Sequence, residues 1–309
     1  MLILTAMTPS GEEAELHSVQ SLVLQKDFEV PADSMTFVLS EVVKEDIAYV
    51  VLKEDGREVY RGVVDEQNVY ISSKEQTEIV SRSMACVLLD NEACPATFFY
   101  PDARLLTEKY LAPLGVTKFS GENRVYPGEF KVAKGMSCWQ VMESFASKLY
   151  GMLPVVQGDT IVFRDECDEE DVVFSLGGEN PPIRLEHRRL RCKPLSAVRV
   201  RTPESSGYTS VVYDKESVNC GIRRERYLNV TYSSSDGLQK ADRLISAARS
   251  KSETVRLVFD GRVLANTGVT ALVEGADIDI SASMYISSLR YVLDGRREQT
   301  EITLKKKEN

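Results

Sequence analysis

Histidine is scarce in this sequence, since only His17 and His187 occur in 309 residues. A Ser-His-Asp or Cys-His site needs a positioned base beside its nucleophile, and no nucleophile motif lies near either histidine. The patterns G-x-S-x-G and H-E-x-x-H are absent as well. We therefore predict surface or turn roles for both histidines, and we predict that the chain is not an enzyme.

Nucleotide and metal signatures are also missing. No Gly-Lys dipeptide and no G-x-G-x-x-G occur, which excludes the P-loop and the usual dinucleotide fingerprint. The chain has six cysteines: Cys86, Cys94, Cys138, Cys167, Cys192 and Cys220. They form no C-x-x-C pair, whereas zinc sites usually use close pairs. We expect reduced, mostly buried small apolar residues, and we predict no cofactor and no metal.

Long apolar runs and excess positive charge are lacking too. No stretch approaches the roughly 20 apolar residues that span a bilayer, and the N-terminal MLILTAMTPSGEE does not have the pattern of a signal peptide. The net charge of −9 argues against non-specific binding to nucleic acid and against docking on an anionic membrane. We expect a chain made and folded in a cytoplasm, with no membrane anchor and no sequence-specific nucleic-acid partner.

Alternating apolar residues dominate the first part of the chain. Met35, Phe37 and Leu39 follow a period of two, which predicts a half-buried strand. Asp55-Gly56 predicts a tight hairpin, because this pair tolerates positive φ angles. The predicted strands are Ser18–Leu24, Met35–Ser40, Ala48–Lys53, Glu58–Val64 and Gln76–Ser81. They suffice for one small barrel at about residues 1–84.

Helical patterns mark the middle of the chain. The clearest helix is Ser137–Tyr150, in which Ser137 and Gln140 match a capping box. An apolar stripe follows, and Trp139 at its edge is predicted to be a core residue. The other elements predicted here are helices at Ser83–Leu89 and Asp102–Leu111 and a hairpin of Met152–Val156 with Thr160–Phe163. This αβ segment, about residues 85–180, looks like an insertion.

The last part of the chain returns to strands. The predicted elements are strands at Arg184–Leu190, Ala197–Arg201, Thr209–Asp214 and Tyr227–Tyr232, a helix from Asp236 to about Ser252, and strands at Thr254–Phe259, Val269–Ile280, Met284–Leu293 and Gln299–Leu304. The predicted fold is mainly β with an α+β insert. Two small β-barrel-like domains, 1–84 and 181–309, flank an αβ domain at 85–180, and the barrels are free to exchange segments.

The sequence contains one strongly basic and one strongly acidic segment. The basic strip consists of Arg184, Arg188, Arg189, Arg191, Lys193, Arg199 and Arg201. No aromatic residue is interleaved with these charges, which disfavours nucleic-acid recognition. The strip is either a salt-bridged strand face or a face opposing acidic residues of a neighbouring subunit. In the second case the predicted interface residues are Arg188, Arg189, Arg191, Arg199 and Arg201.

The acidic segment comprises Asp165, Glu166, Asp168, Glu169, Glu170 and Asp171. Its carboxylates have the oxygen atoms that Ca²⁺ prefers. However, the segment lacks the alternating spacing and the turn glycine of a known calcium loop. We therefore favour a solvated, self-repelling loop.

Three segments together resemble a known family. They are VEGADIDI followed by MYISSLRYVLDGRREQTEITL near the C-terminus, VLKEDGREVYRGVVDE (Val51–Glu66), and KGMSCWQVMESFASKLYG with GDTIVF. In their order along the chain they resemble phage tail baseplate hub proteins. That family includes the late control gene D proteins and the hub proteins of Gram-positive prophages.

The resemblance implies a structural virion protein. With two barrel domains in each subunit, a homotrimer would form a ring of six similar domains with pseudo-sixfold symmetry. Such a ring would match a hexameric tail tube on one side and a trimeric spike or tail tip on the other. The implied partners are the tube and spike or tip proteins of a phage tail or contractile injection system, and the implied location is the tail baseplate after assembly in the host cytoplasm. The alternative is a tail-tip module that binds or hydrolyses cell-wall glycans, for which Phe98-Phe99-Tyr100 is the one aromatic-rich loop.

Overall fold

A computed structural model describes residues 1–150, 153–163, 171–203, 205–230, 234–278, 280–281 and 284–307. The chain divides into two compact units. The first unit comprises Met1–Glu170, Asp260–Gly268 and Ser288–Thr300, and the second unit comprises Asp171–Phe259, Val269–Ser287 and Glu301–Asn309. Strands predominate among the described residues, so the prediction of a mainly β fold is confirmed.

Seven strands begin the first unit: β1 (Leu2–Met7), β2 (Glu13–Glu15), β3 (Val19–Asp27), β4 (Ser34–Leu39), β5 (Tyr49–Glu54), β6 (Arg57–Ile71) and β7 (Glu75–Ser83). They pair antiparallel in the order β3-β4-β7-β6-β5-β1-β2. Met35, Phe37 and Leu39 are fully buried on one face of β4, as their period of two predicts. Between β5 and β6, Asp55 and Gly56 both have positive φ, at 47° and 83°, which confirms the predicted hairpin turn.

The rest of the first unit mixes short helices and strands. They are α1 (Ala85–Asp90), β8 (Ala96–Phe99), α2 (Ala103–Leu106), which continues as a π-helical turn (Thr107–Leu111) and a 3₁₀ turn (Ala112–Leu114), β9 (Lys118–Gly121), β10 (Glu129–Val132), α3 (Cys138–Leu149), β11 (Val155–Gln157) and β12 (Thr160–Phe163). β8 pairs with β10, and β12 lies between β11 and β9.

Helix α3 has the start that the sequence predicts. The Ser137 hydroxyl accepts from the Gln140 amide at 3.1 Å, and the Gln140 side chain accepts from the Ser137 amide at 2.9 Å. Phe145 on the apolar face of α3 packs edge-on against Phe130 of β10, with ring centroids 5.5 Å apart. Trp139 is 5% exposed and belongs to the same core, so its predicted core role is confirmed.

The described remainder of the chain contains β13 (Val172–Ser175), β14 (Arg184–Arg189), β15 (Ala197–Arg201), β16 (Ser210–Tyr213), α4 (Lys215–Asn219), β17 (Glu225–Asn229), α5 (Ser234–Ser250), β18 (Glu253–Asp260), β19 (Thr270–Glu274), β20 (Met284–Asp294) and β21 (Arg297–Lys306). In the second unit, β14 pairs with β18, β13 with β19, and β15 with both β16 and β17. In the first unit, residues 288–294 of β20 pair with β3.

Some sequence predictions need correction. The strand predicted at Val269–Ile280 ends at Glu274, because Gly275 leaves the extended conformation with φ +78°. Strands β1, β2, β8, β9, β10 and β13 and helix α4 were not predicted. Among the described helices, none is long and apolar enough to cross a membrane.

The cysteine prediction is right only in part. The five described cysteines are all free thiols, and Cys86 and Cys138 are buried as expected. Cys94, Cys192 and Cys220 are exposed instead, because they lie in loops, turns or at a helix end and not on a core-facing side of an element. The sixth, Cys167, lies outside the described residues.

Candidate assembly surfaces

The predicted interface arginines lie on two different sheets of the second unit. Arg188 and Arg189 are on β14 and Arg191 is in the turn after it, whereas Arg199 and Arg201 are on β15. The continuous basic strip of the sequence is therefore divided in the structure, and its two parts have different surroundings.

The first part lies along β14, which pairs with β18 and ends the described order of its sheet. The Arg188 side chain is 61% exposed, and its Nε lies 3.9 Å from Glu186 Oε1. Arg191 donates to the Cys220 carbonyl oxygen at 2.7 Å. Exposed ion pairs of this kind stabilise a fold by at most about 1 kcal/mol, so these arginines contribute mainly surface charge.

The second part lies on strand β15 of the β16-β15-β17 sheet. Helix α5 packs on one side of the β16-β15-β17 sheet, where Val198, Val200 and their neighbours form a small core. Successive residues of a strand point to opposite faces, so Arg199 and Arg201 lie on the side away from α5. Tyr227 is in register with Arg199, and Tyr213 with Ala197, so both tyrosines share that side.

We call this side the tyrosine–arginine face: Arg199, Arg201, Tyr208, Tyr213 and Tyr227. Tyr213 is 59% exposed and Tyr227 63% exposed. The Tyr208 and Tyr227 rings meet edge to face at 4.9 Å. This grouping is not visible in the sequence, because the tyrosines follow the basic strip along the chain and join it only through strand pairing.

One ion pair links strands β15 and β17 on the tyrosine–arginine face. Arg199 Nε donates to Glu225 Oε2 at 2.7 Å. This hydrogen bond holds the pKa of the Glu225 carboxyl below its ordinary value. Arg201 is exposed at the end of β15, so its guanidinium is accessible to a partner.

His187 does not have the surface role that the sequence predicted. It lies on β14 with a side chain only 11% exposed, and its Nε2 is 2.8 Å from Glu253 Oε1. The Ser281 hydroxyl donates to the other oxygen of the same carboxylate. Burial raises the pKa of Glu253, but the bonds from Ser281 and His187 outweigh burial and leave that pKa lowered. Since the serine bonds the carboxylate and not the imidazole, this arrangement does not activate a nucleophile. His17 is 78% exposed, as predicted.

A cavity of about 510 Å³ lies in the first unit beside the β3–β4 turn and the start of α3. We call it the acidic pocket, after the four carboxylate residues among its lining: Asp27, Glu29, Asp33 and Glu143. The described lining contains no Lys, Arg or His, and its aromatic residues are Phe28 and Trp139. Its volume is typical of a pocket that binds a ligand or a partner side chain.

Asp33 is the perturbed group of the acidic pocket. Burial raises the pKa of its carboxyl from 3.8 to about 6, although the nearby Lys26 ammonium partly opposes the rise. Burial disfavours the ionised form of this carboxyl, and a further cation close to it would stabilise that form. The pocket is therefore electrostatically suited to a positively charged partner group.

An exposed aromatic pair occupies another part of the first unit. Phe99 at the end of β8 is 71% exposed and the next residue, Tyr100, is 68% exposed, whereas Phe98 packs on the core. Tyr100 has φ +55°, a strained value for a residue with a side chain. Its amide donates to the Gly128 carbonyl at 2.8 Å, which fixes the strained turn.

The acidic segment of the sequence lies outside the described residues except for Asp171. Across the described ranges no three His, Cys, Asp or Glu side chains are grouped closely enough to hold a metal ion.

No protein-family model matches the chain, and no curated protein matches it. Solved structures do. The tail protein from Neisseria meningitidis is 19% identical with a TM-score of 0.77, and the match covers 99% of this chain and 96% of that one. The 43 kDa tail protein of prophage MuSo2 from Shewanella oneidensis is 14% identical with a TM-score of 0.79, and the match covers 99% and 98%.

A third similar structure is an E. coli component of the type VI secretion system, described as structurally similar to the T4 bacteriophage tail proteins gp27 and gp5. It is 11% identical with a TM-score of 0.55, and the match covers 93% of this chain and 73% of that one. At these identities the likenesses establish the fold. The resemblance to tail and baseplate hub proteins is thereby confirmed at the level of the fold.

Proposed function

We propose that this chain is a structural component of a phage tail or phage-tail-like particle. In its finer form, the proposal is a baseplate hub whose homotrimeric ring joins the tail tube to the spike or tail tip. The observation that carries the proposal is the whole-length likeness to two tail proteins, which covers 99% of this chain and nearly all of each of the others. A tail-protein fold thus accounts for almost the entire sequence.

The surfaces described above suit such a role. A ring of identical subunits needs two different, complementary surfaces on each copy. The arginines on β14 and the tyrosine–arginine face are basic or aromatic, and the acidic pocket has the opposite charge. Interfaces of this polar kind give register and orientation more than raw affinity. The proposed partners are tail tube and spike or tip proteins, met in the host cytoplasm before the particle is complete.

A non-enzymatic role belongs to the same proposal. His187 bonds the Glu253 carboxylate, and Ser281 donates to that same carboxylate and not to the imidazole. A serine placed in this way has no histidine base beside it. The chemistry of the hub is then non-covalent: complementary surfaces that close a ring and match it to its neighbours.

The test is assembly. Sedimentation velocity should show monomer or trimer, with trimer favoured at high concentration or with the tail tube protein present, and electron microscopy of the trimer should show a threefold ring with a central channel. A dimer or tetramer that persists under all these conditions is incompatible with a threefold hub and would refute the proposal.

The exposed Phe99-Tyr100 pair supports a second candidate, a module that binds cell-wall glycans. Aromatic rings held at the surface by a strained backbone are more typical of a binding site than of a fold element. Co-sedimentation with purified peptidoglycan tests this candidate. Binding by the wild type that is lost when Phe99 and Tyr100 are both changed to Ala would favour it, and clearing of the peptidoglycan would favour hydrolysis. Absence of binding leaves the hub as the function.

A further inference from the structure

We infer that the tyrosine–arginine face of one copy docks against the acidic pocket of a second copy, with the Arg201 guanidinium entering the pocket. This inference rests on the proposed ring function, because a ring brings such surfaces together. Beyond the ring itself, the inference identifies the residues of each copy that would be in contact.

The tyrosine–arginine face has the composition of an interface centre. Tyrosine and arginine are enriched among the residues that carry most of the binding energy of protein interfaces. Here two tyrosines are more than half exposed on one side of the sheet, and Arg201 is exposed on the same side, two residues along β15 from Arg199. The ion pair between Arg199 and Glu225 already neutralises one arginine of this face, so Arg201 supplies its excess positive charge.

The acidic pocket has the complementary chemistry. Asp27, Asp33 and Glu143 line it without a lining cation among the described residues. A guanidinium pairs with carboxylates and also stacks on aromatic rings. Phe28 on the lining is partly exposed and is the ring available for the second contact, whereas Trp139 is almost wholly buried. Arginine fits this lining better than a compact ammonium does, because it uses both kinds of contact.

The start of α3 at the pocket does not compete by attracting an anion. Backbone amides at a helix N-terminus bind anions when they are free. Here the Gln140 amide donates to the Ser137 hydroxyl, and the Cys138 amide donates to the Asn91 carbonyl at 2.9 Å. Two of the first-turn donors are therefore already used within the chain, and the carboxylates dominate the pocket.

The partner that fits the acidic pocket is a second copy of this chain. The same chain carries the acidic pocket and the exposed arginine, and a heterologous pair of patches is what closes a ring. Apolar surface matches as well, because Val30 and Leu153 on the pocket lining are 51% and 41% exposed. They offer the tyrosine rings of the neighbouring copy an apolar contact around the central ion pair.

Charge reversal with rescue tests the inference in the full chain. Arg201→Glu and Glu143→Arg should each weaken self-association in sedimentation equilibrium by about tenfold or more, as removal of a close interfacial charge pair does. The double variant, which restores an opposite pair between copies, should recover association to within about threefold of the wild type. Glu143→Gln serves as the milder pocket variant if Glu143→Arg folds poorly.

Arg226→Glu is the matched control. Arg226 is exposed on β17 next to Tyr227, but it is in register with Val198 and therefore lies on the opposite side of the sheet. The charge change is the same as in Arg201→Glu, so self-association should stay at the wild-type level. An equal loss in Arg226→Glu would mean that overall charge, and not the pocket, is responsible, and it would overturn the inference.

The single tryptophan of the chain, Trp139, reports on the pocket directly. Its emission should shift as the wild type associates and should stay constant over the same concentrations in Arg201→Glu. Trimers that form normally in both charge-reversal variants would overturn the inference and leave the hub function standing. A wild type that stays monomeric at every soluble concentration and with tail tube protein would count against both. Tight binding of single-stranded DNA to the tyrosine–arginine face, lost in Arg201→Glu, would assign the face to another partner.

Discussion

Replacing Asp33 by Asn should stabilise the protein at neutral and alkaline pH. Asp33 lies in the turn between β3 and β4, where its carboxylate accepts from the Asp27 amide at 3.4 Å. Burial raises its pKa from 3.8 to about 6, with the Lys26 charge opposing the rise. Ionised Asp33 is thus a cost to the folded state, and asparagine keeps the acceptor oxygen while it removes the charge.

The pKa values decide the sign and the size of this effect. Folded Asp33 binds its proton more tightly than unfolded Asp33, so the stability it contributes is present below about pH 4 and is lost as the pH rises through about 6. One pKa unit corresponds to about 1.4 kcal/mol. The rise from 3.8 to about 6 therefore limits the gain in the free energy of unfolding to about 3 kcal/mol. Because the residue is only half-buried, solvent screening lowers the expected gain in Asp33→Asn to about 1–2 kcal/mol.

The assay is urea unfolding of the wild type and Asp33→Asn at about pH 4, 6 and 8, since the linkage relation predicts a gain that grows with pH. Asp159→Asn is the control, because the Lys118 side chain lowers the pKa of Asp159, so that variant should gain nothing at the highest pH. Equal stability of wild type and Asp33→Asn at the highest pH, or a difference that does not change with pH, would refute the reasoning.

Three further variants test other parts of the structure. Ser137→Ala removes the cap of α3 and should lower the free energy of unfolding by about 1 kcal/mol, whereas Ser144→Ala within the same helix should have little effect. Gly62→Ala should cost about 1–3 kcal/mol in denaturant unfolding, because the new Cβ would lie 2.7 Å from the Arg82 carbonyl oxygen. Glu253→Gln should make the melting temperature less sensitive to acid. The pKa of Glu253 is lower in the folded protein than its unfolded value of 4.5, so ionised Glu253 stabilises the wild type above about pH 4.5 and this contribution is lost as the pH falls.

Elements built on local signals were predictable from the sequence. Helix α3 has its predicted N-cap and apolar stripe because the capping box involves residues only three positions apart. The turn at Asp55-Gly56 and the buried face of β4 likewise depend on the backbone freedom and side-chain alternation of adjacent residues. Neither needs information from distant parts of the chain.

The role of His187 could not be predicted in this way. Its partner Glu253 lies 66 residues further along the chain, and only the pairing of β14 with β18 brings the two strands together. The tyrosine–arginine face has the same origin, because the parallel register of β15 and β17 places Tyr227 beside Arg199. A scan for aromatics interleaved with charge in sequence cannot find residues that become neighbours through a register.

The sequence by itself determined the mainly β character, the strongly patterned strands and helix α3, the absence of the common nucleotide and nucleophile motifs, and the resemblance to tail hub proteins. Composition, periodicity and turn chemistry act over a few residues, so they can be read without the fold. Only the tertiary structure decided which charges pair, that one half of the basic strip joins exposed tyrosines, and that Asp27, Asp33 and Glu143 line one pocket with Trp139. These outcomes depend on long-range strand pairing and burial, which set electrostatic energies through distance and solvent exclusion.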